Sequence, residues 1–353
     1  MTYTLGIDIG TFESKGVLVE VTSGRIVAEA RHPHRMLVPQ PGWAEADPED
    51  WWSALVAALA HLDAQGWPLA RVEALALTGQ MHTAVLLDAD GQVVPPTILW
   101  LDRRAALETE ELQRALGLPP YQLNSTYTLP KLLWLARHTP SRLARARCLL
   151  WPKDYLRYRL TGEPATDLTE PGGAALLDWA KRTWATERLA LAGLAPAILP
   201  SIRPADADGG RLRPDAARSL GLNPEARVVV GMGDVAALFG AAPPRPGRVT
   251  CSLGSSSMVF APLRPGQEVY DPEGRLYVYP FGPYPMLGGV SSTTGASLQW
   301  AYDKLTRAEA RGVSFEAWVR AAAEIEPGAG GASFLPYLAG ERSPYWSDEI
   351  RGG

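Results

Sequence analysis

The chain has 353 residues, 46% of them hydrophobic and 20% charged, with a formal net charge of −4. That is an ordinary globular balance with material for two domains. It gives no electrostatic case for a nucleic-acid or anionic-membrane partner, and no apolar run reaches the roughly 18 residues that span a bilayer.

The opening alternates. "YTLGIDIG" (Tyr3 to Gly10) reads as a strand running into a turn, and "KGVLVEV" and "RIVAEARH" read as two further strands joined through "TSG". This antiparallel start is unlike the βαβ entry of a dinucleotide-binding domain. The stretch has no basic start and no apolar signal-peptide core. Cys148 and Cys251 fit no metal or redox spacing, so a reducing cytoplasm is the expected compartment. "ADPEDWWSALVAALAHL" predicts a helix with Asp47 as N-cap and Pro48 at the first helical position, with Trp51 and Trp52 as packing residues. "VEALALTG" predicts a strand entering "QMHTAVLLDADG". A helix is expected from Arg103 to Leu116. "LPKLLWLARH" and "PKDYLRYRLTG" read as further helices opened by Pro, and Leu199 to Pro214 as a connection.

"VVVGMGDVAALFG" (Val228 to Gly240) places a single carboxylate, Asp234, between two apolar runs. The Val run reads as a buried strand and the stretch from Val235 to Ala242 as a helix. Asp234 can cap that helix. It also stands at the carboxyl end of a strand, where open α/β sheets place their ligand crevices, and a carboxylate there can take a proton from a substrate. Both readings stay open at this point. "APPRPG" (Ala242 to Gly247) is the linker candidate. Beyond it "VTCSLGSSSMVFA" repeats the strand, tight turn, strand theme of "IDIGTFESKGVLVEV". Gly-Thr and Gly-Ser turns present backbone N–H groups and hydroxyls that can cradle phosphate oxygens. Their use twice, with Asp8 beside the first and Asp234 before the second, points to two related lobes facing a cleft.

The stretches "GIDIGT", "PGWAEADPEDWW", "GQMH", "ILWLDRR", "PKLLWLARH", "PKDYLRYRLTGEPATD", "GMGDVAA", "SLGSS", "TTGASLQW" and "FLPYLAGERSPYW" cover nearly the whole chain. In that order they resemble the FGGY carbohydrate kinases, and most of all their xylulokinase branch. The resemblance implies an α/β, two-lobed RNase H/actin-like ATPase fold. An N-terminal sugar-binding lobe would occupy 1–242 and a C-terminal nucleotide-binding lobe 248–353. The second lobe is expected to be incomplete, because family members continue past the "GERSPYW" region. The implied reaction is ATP-dependent phosphorylation of a sugar hydroxyl, D-xylulose to D-xylulose 5-phosphate, with Mg2+. A kinase for another ketose or polyol, and a truncated sugar-binding protein without catalysis, are the alternatives.

The resemblance also implies roles. Asp234 would be the general base, and Asp8 a catalytic carboxylate that helps hold Mg2+, in part through water. Gly10, Thr11 and Lys15 would form the first phosphate turn, and Gly254, Ser255 and Ser256 the second. Gly295 would lie against the nucleotide. Met81 and His82 would project toward the sugar, with Trp100 and Asp102 nearby. Glu341 and Arg342 are expected to form an ion pair between loops. The expected partner is a small sugar, with no nucleic acid and no membrane, and apolar surface on a partly covered second lobe would favour a homodimer. The sequence departs from the family pattern at Val235, where xylulokinases carry Asn, and at Glu13, which would repel ATP unless it points away.

Overall fold

The alternating opening folds into three antiparallel strands, β1 (Tyr3–Ile9), β2 (Glu13–Glu20) and β3 (Ile26–Pro33). The structure is a computed structural model that describes residues 1–353 except 121, 242, 255, 265–274, 282–283, 310–311, 339 and 348. Period-two alternation sends Leu5, Ile7 and Ile9 to one face of the sheet. There they meet the buried stripe Trp51, Leu55, Leu59 and Leu62 of helix α1 (Pro48–Ala64). Each such side chain contributes about 1.5–3 kcal/mol on burial. The helix starts as its sequence predicts: Asp47 accepts a hydrogen bond from the Glu49 N–H at 3.0 Å, and Pro48 occupies the first turn. Trp51 is buried, and Trp52 lies under the Arg159 guanidinium at 4.6 Å.

Strand β4 (Val72–Gly79) runs parallel to β1 and sets Thr78 level with Asp8. Helices α2 (Ala106–Leu116), α3 (Thr128–His138), α4 (Pro152–Thr161) and the short α5 (Thr169–Gly173) precede strands β5 (Asp208–Arg211), β6 (Arg227–Val229) and β7 (Met232–Gly233). The sheet order is β5-β6-β4-β1-β2-β3, with β7 also paired to β4 and Met232 level with Thr78. The carboxyl ends of β1, β4 and β7 therefore emerge side by side. An antiparallel three-strand opening followed by parallel strands is the RNase H/actin-like arrangement. Helix α6 (Asp234–Ala241) leaves directly from β7.

Three local expectations needed correction. Helix α2 starts at Ala106 rather than Arg103, because Arg104 is folded back onto Asp102, whose Oδ1 accepts its backbone N–H at 2.8 Å. Helix α3 starts two residues before Pro130, which sits inside the first turn, where a missing N–H costs nothing. The connection Leu199 to Pro214 holds an edge strand, β5. Its Gly209 has no room for a side chain, since a Cβ would stand 2.7 Å from the Val229 backbone.

The chain divides into two compact units, Met1–Leu118 with Leu123–Ala241, and Pro119–Gln122 with Ala242–Gly353. In the second unit, β8 (Thr250–Leu253), β9 (Ser257–Pro262), β10 (Tyr277–Phe281) and β11 (Tyr284–Ser291) form an antiparallel sheet in the order β8-β9-β11-β10. Helix α7 (Gly295–Glu309) follows. Phe260, Leu263, Met286 and Val290 are its buried large apolar side chains among the described residues. No described helix is long and apolar enough to cross a membrane.

Candidate active site

Asp8 and Asp234 leave the carboxyl ends of β1 and β7, two strands that flank β4 and so lie about 10 Å apart. Asp8 is half-buried. Lost hydration raises its pKa, the Lys15 ammonium opposes the rise, and Glu13 adds to it. Lys15 is the cross-strand partner of Asp8 in the β1–β2 register, and its Nζ also lies 3.3 Å from Glu29 Oε2. Glu13 is paired with Arg31 of β3 at 3.3 Å, which draws its charge toward that strand. Asp234 is exposed at the first position of α6. The loss of water pushes its pKa up to about 7, against the Val235 N–H, with the Asp8 charge adding to the rise. Asp234 Oδ1 accepts that N–H at 2.7 Å, so Asp234 is both the first residue of α6 and its own local cap. A carboxylate with a pKa near neutrality, with its second oxygen available to a donor, is a competent general base.

The sugar-side pair is split by the fold. Met81 is only 3% exposed and does not project outward as expected. It fills the space between two glycines: a Cβ on Gly233 would lie 2.6 Å from its Sδ, and one on Gly173 2.9 Å from its Cε. His82 is half-buried and adopts a left-handed backbone, φ 66°. Its Nδ1 is bonded to the Gly173 carbonyl at the end of α5. A carbonyl only accepts, so Nδ1 carries the hydrogen, and in the neutral ring Nε2 is the acceptor. Thr128 holds the His82 carbonyl at 2.9 Å, and the Tyr127 ring lies 5.1 Å from the imidazole. Trp100 is half-buried, and its Nε1 donates to Thr11 Oγ1 at 3.0 Å. This ties the tryptophan to the turn between β1 and β2.

Gly10 closes that turn by donating its N–H to Glu13 O at 2.9 Å, so it supplies shape rather than a free donor. The second turn repeats the device: Gly254 donates to Ser256 O at 2.9 Å. Gly254 O in turn accepts the Gly295 N–H at 2.9 Å, which joins the turn to the start of α7. Ser255 lies outside the described residues.

Asp102 is a correction. It is 1% exposed, and both its oxygens are taken by Arg104 and by the backbone N–H groups of Arg104 and Ala44. Arg104 also stacks 3.7 Å over the Trp43 ring and pairs with Glu45 at 2.7 Å. With its charge neutralised inside this clasp, Asp102 holds the fold together and does not face a sugar. The expected ion pair between Glu341 and Arg342 is replaced by a backbone contact: Glu341 Oε1 accepts the Arg342 N–H at 2.7 Å, and both side chains bond Ser291. The Glu341 carboxylate accepts the Ser291 hydroxyl at 3.1 Å, and the Arg342 guanidinium donates to the Ser291 carbonyl at 3.1 Å.

Single-residue motifs do not reveal the wall behind the loop that carries Asp234. Thr169 Oγ1, at the start of α5, accepts the N–H of Gly233 at 3.0 Å, and Gly173 at its end holds His82. Lys153, Asp154, Asp167 and Glu170 are all buried around it. The signal was present in "PKDYLRYRLTGEPATDLTEPGG": several ionisable residues in a stretch whose apolar neighbours are buried.

The N-terminal domain model of the FGGY family of carbohydrate kinases matches residues 3–240, and its C-terminal domain model matches 249–353. A xylulose kinase of Klebsiella pneumoniae is 36% identical over 358 residues, covering 99% of this chain and 71% of the relative. One of Escherichia coli (strain K12) is 34% identical over 354 residues, covering 99% and 71%. The crystal structure of a xyloylose kinase from Brucella ovis superposes with a TM-score of 0.88 at 33% identity, covering 99% of this chain and 72% of that one. Matched in both of its units, and folded as its relatives are around the strand ends that carry Asp8 and Asp234, the chain belongs to the FGGY family of carbohydrate kinases.

Proposed function

We propose that the chain transfers the γ-phosphoryl group of ATP to a hydroxyl of D-xylulose, giving D-xylulose 5-phosphate and ADP. The observation that carries this reading is Asp234, a carboxylate pushed up to about 7 at the strand ends beside Asp8. Asp234 accepts the proton of the sugar hydroxyl as its oxygen bonds to phosphorus. The bond between that phosphorus and the β,γ-bridging oxygen breaks, and ADP carries away the electron pair. Such a transfer needs positioning and charge stabilisation more than covalent help from the protein. His82 Nε2 accepts a hydrogen bond from a substrate hydroxyl, and Thr11, Lys15, Ser256 and Gly295 receive the nucleotide.

Among the described residues no group of three or more His, Cys, Asp or Glu could hold a metal ion by itself. A lone half-buried carboxylate suits magnesium, which keeps its waters and is held mainly by nucleotide phosphates. Asp8 would hold it there, where it would neutralise phosphate charge.

ADP release measured across D-xylulose, other pentuloses, gluconate and glycerol tests the substrate. Turnover of glycerol above every pentulose would refute the assignment. Asp234→Asn keeps size and capping but loses the proton acceptor, and is expected to lower kcat by about 10² or more with sugar binding retained. A variant with near-normal kcat would reduce Asp234 to a helix cap.

A further inference from the structure

Glu170 lies on α5, the element that holds both the base loop and His82. Its side chain is wholly buried, and neither carboxyl oxygen has a hydrogen-bond partner. The charges facing it are Lys153 and Asp154 of α4, Asp167 of the preceding loop and Asp234 of α6. Lys153 is already claimed, by Asp154 at 2.6 Å and by Asp167 at 3.1 Å. Arg157 faces Asp154 at 3.6 Å and gives its Nη groups to the backbone carbonyls of Glu163, Gly209 and Ala165, while its buried Nε–H has no hydrogen-bond partner. One more negative charge in that dry space would have no counter-ion, whereas an uncharged acid fits it.

We propose that Glu170 is a positioning residue for Asp234: carried as the uncharged acid, it fills the wall behind the base loop and leaves the working negative charge on Asp234 alone. The inference rests on the reading of Asp234 as the base. Burial pushes the Glu170 carboxyl well above the usual carboxylate range. Lys153 opposes the rise, and Asp154, Asp167 and Asp234 add to it. The folded protein therefore holds a proton at Glu170 that the unfolded chain releases above about pH 4.3, and folding loses stability as pH rises beyond that point.

The test is a set of variants at Glu170 read by activity, pH profile and melting. Glu170→Ala is expected to lower kcat about tenfold by loosening α5, and Glu170→Gln to restore most of that loss, because shape is needed and charge is not. The acid limb of the Glu170→Gln pH–rate profile stays where the wild type has it. Its melting temperature rises relative to the wild type as pH increases, and that gain shrinks in an Asp234→Asn background, where one of the charges keeping Glu170 protonated is gone. Should Glu170→Gln not fold, infrared spectra of wild-type enzyme carrying isotope-labelled glutamate are expected to show a protonated glutamic-acid carbonyl at about pH 8. Absence of that band overturns the proposal. So does an acid limb moved down by about one unit or more in Glu170→Gln, or a melting gap that favours the wild type at high pH. Failure of the base reading is seen separately, as near-normal kcat in Asp234→Asn alone.

Discussion

A side chain at the mouth of this sheet takes its chemistry from what surrounds it. Asp234 needs a free carboxylate to act, so kcat/KM is expected to climb about tenfold per pH unit below about 7 and level off above. The same shift acts on stability with the opposite sign. Between about pH 4 and 7 the folded state holds a proton that the unfolded chain has released, so stability falls as pH rises through that window. Asp234→Asn removes this penalty and should melt higher than the wild type at about pH 8, with the difference gone near pH 4; solvent contact at Asp234 keeps the gain small. Equal melting at both pH values would contradict the shift. His82 depends on two constraints, its bond to Gly173 O and its positive φ. His82→Ala should weaken sugar binding by about 1–3 kcal/mol, read as KM for the sugar. His82→Asn, which tolerates the left-handed region and retains an acceptor, should recover part of that loss. Identical KM in wild type and His82→Ala would remove His82 from the sugar site.

Among the elements, α5 connects the most with the least. Five residues join the Asp234 loop, through the bond of Thr169 to Gly233, and the proposed sugar contact His82, through Gly173. Gly173 has no spare room, since a Cβ there would lie 2.9 Å from Met81 Cε and 3.0 Å from His82 Nδ1. Gly173→Ala should therefore raise the sugar KM roughly tenfold, the scale of a displaced polar contact, while leaving the KM for ATP little changed. Equal rises in both constants would show that α5 supports the fold generally instead of the sugar side. Helix α1 illustrates the opposite case. Its cap, its Pro and its apolar stripe are all local signals, and sequence and structure agree on them. Helix α2 starts later than its sequence predicts because Arg104 obeys a distant partner set, Trp43 and Glu45, rather than helix propensity.

At the scale of the whole molecule, "APPRPG" marks the passage between the two units. Residues 243–249 carry no helix or strand and are largely exposed. Brief trypsin digestion should cut first after Arg248, because Arg245 is shielded by Pro246, and should leave two fragments that resist further cleavage. Early cuts inside 1–241 would argue against this boundary. The second unit exposes Leu253, Val259, Trp300, Leu305, Phe334 and Leu335. The homodimer expected from the sequence is a separate question, which sedimentation of the 353-residue chain across a range of concentrations tests: a monomer at all of them would exclude it. The strand alternation, the capped helix, the paired glycine turns and the lone carboxylate in "GMGD" were legible in the chain itself, because each depends on neighbours a few positions away. Tertiary structure decided the rest. It buried Met81 between Gly173 and Gly233, clasped Asp102 to Arg104, tied Trp100 to Thr11, and set Glu170 behind Asp234. The reason is physical: whether a polar side chain meets water, a counter-ion or another carboxylate is settled by residues far away in the sequence, and that meeting fixes its charge and its role.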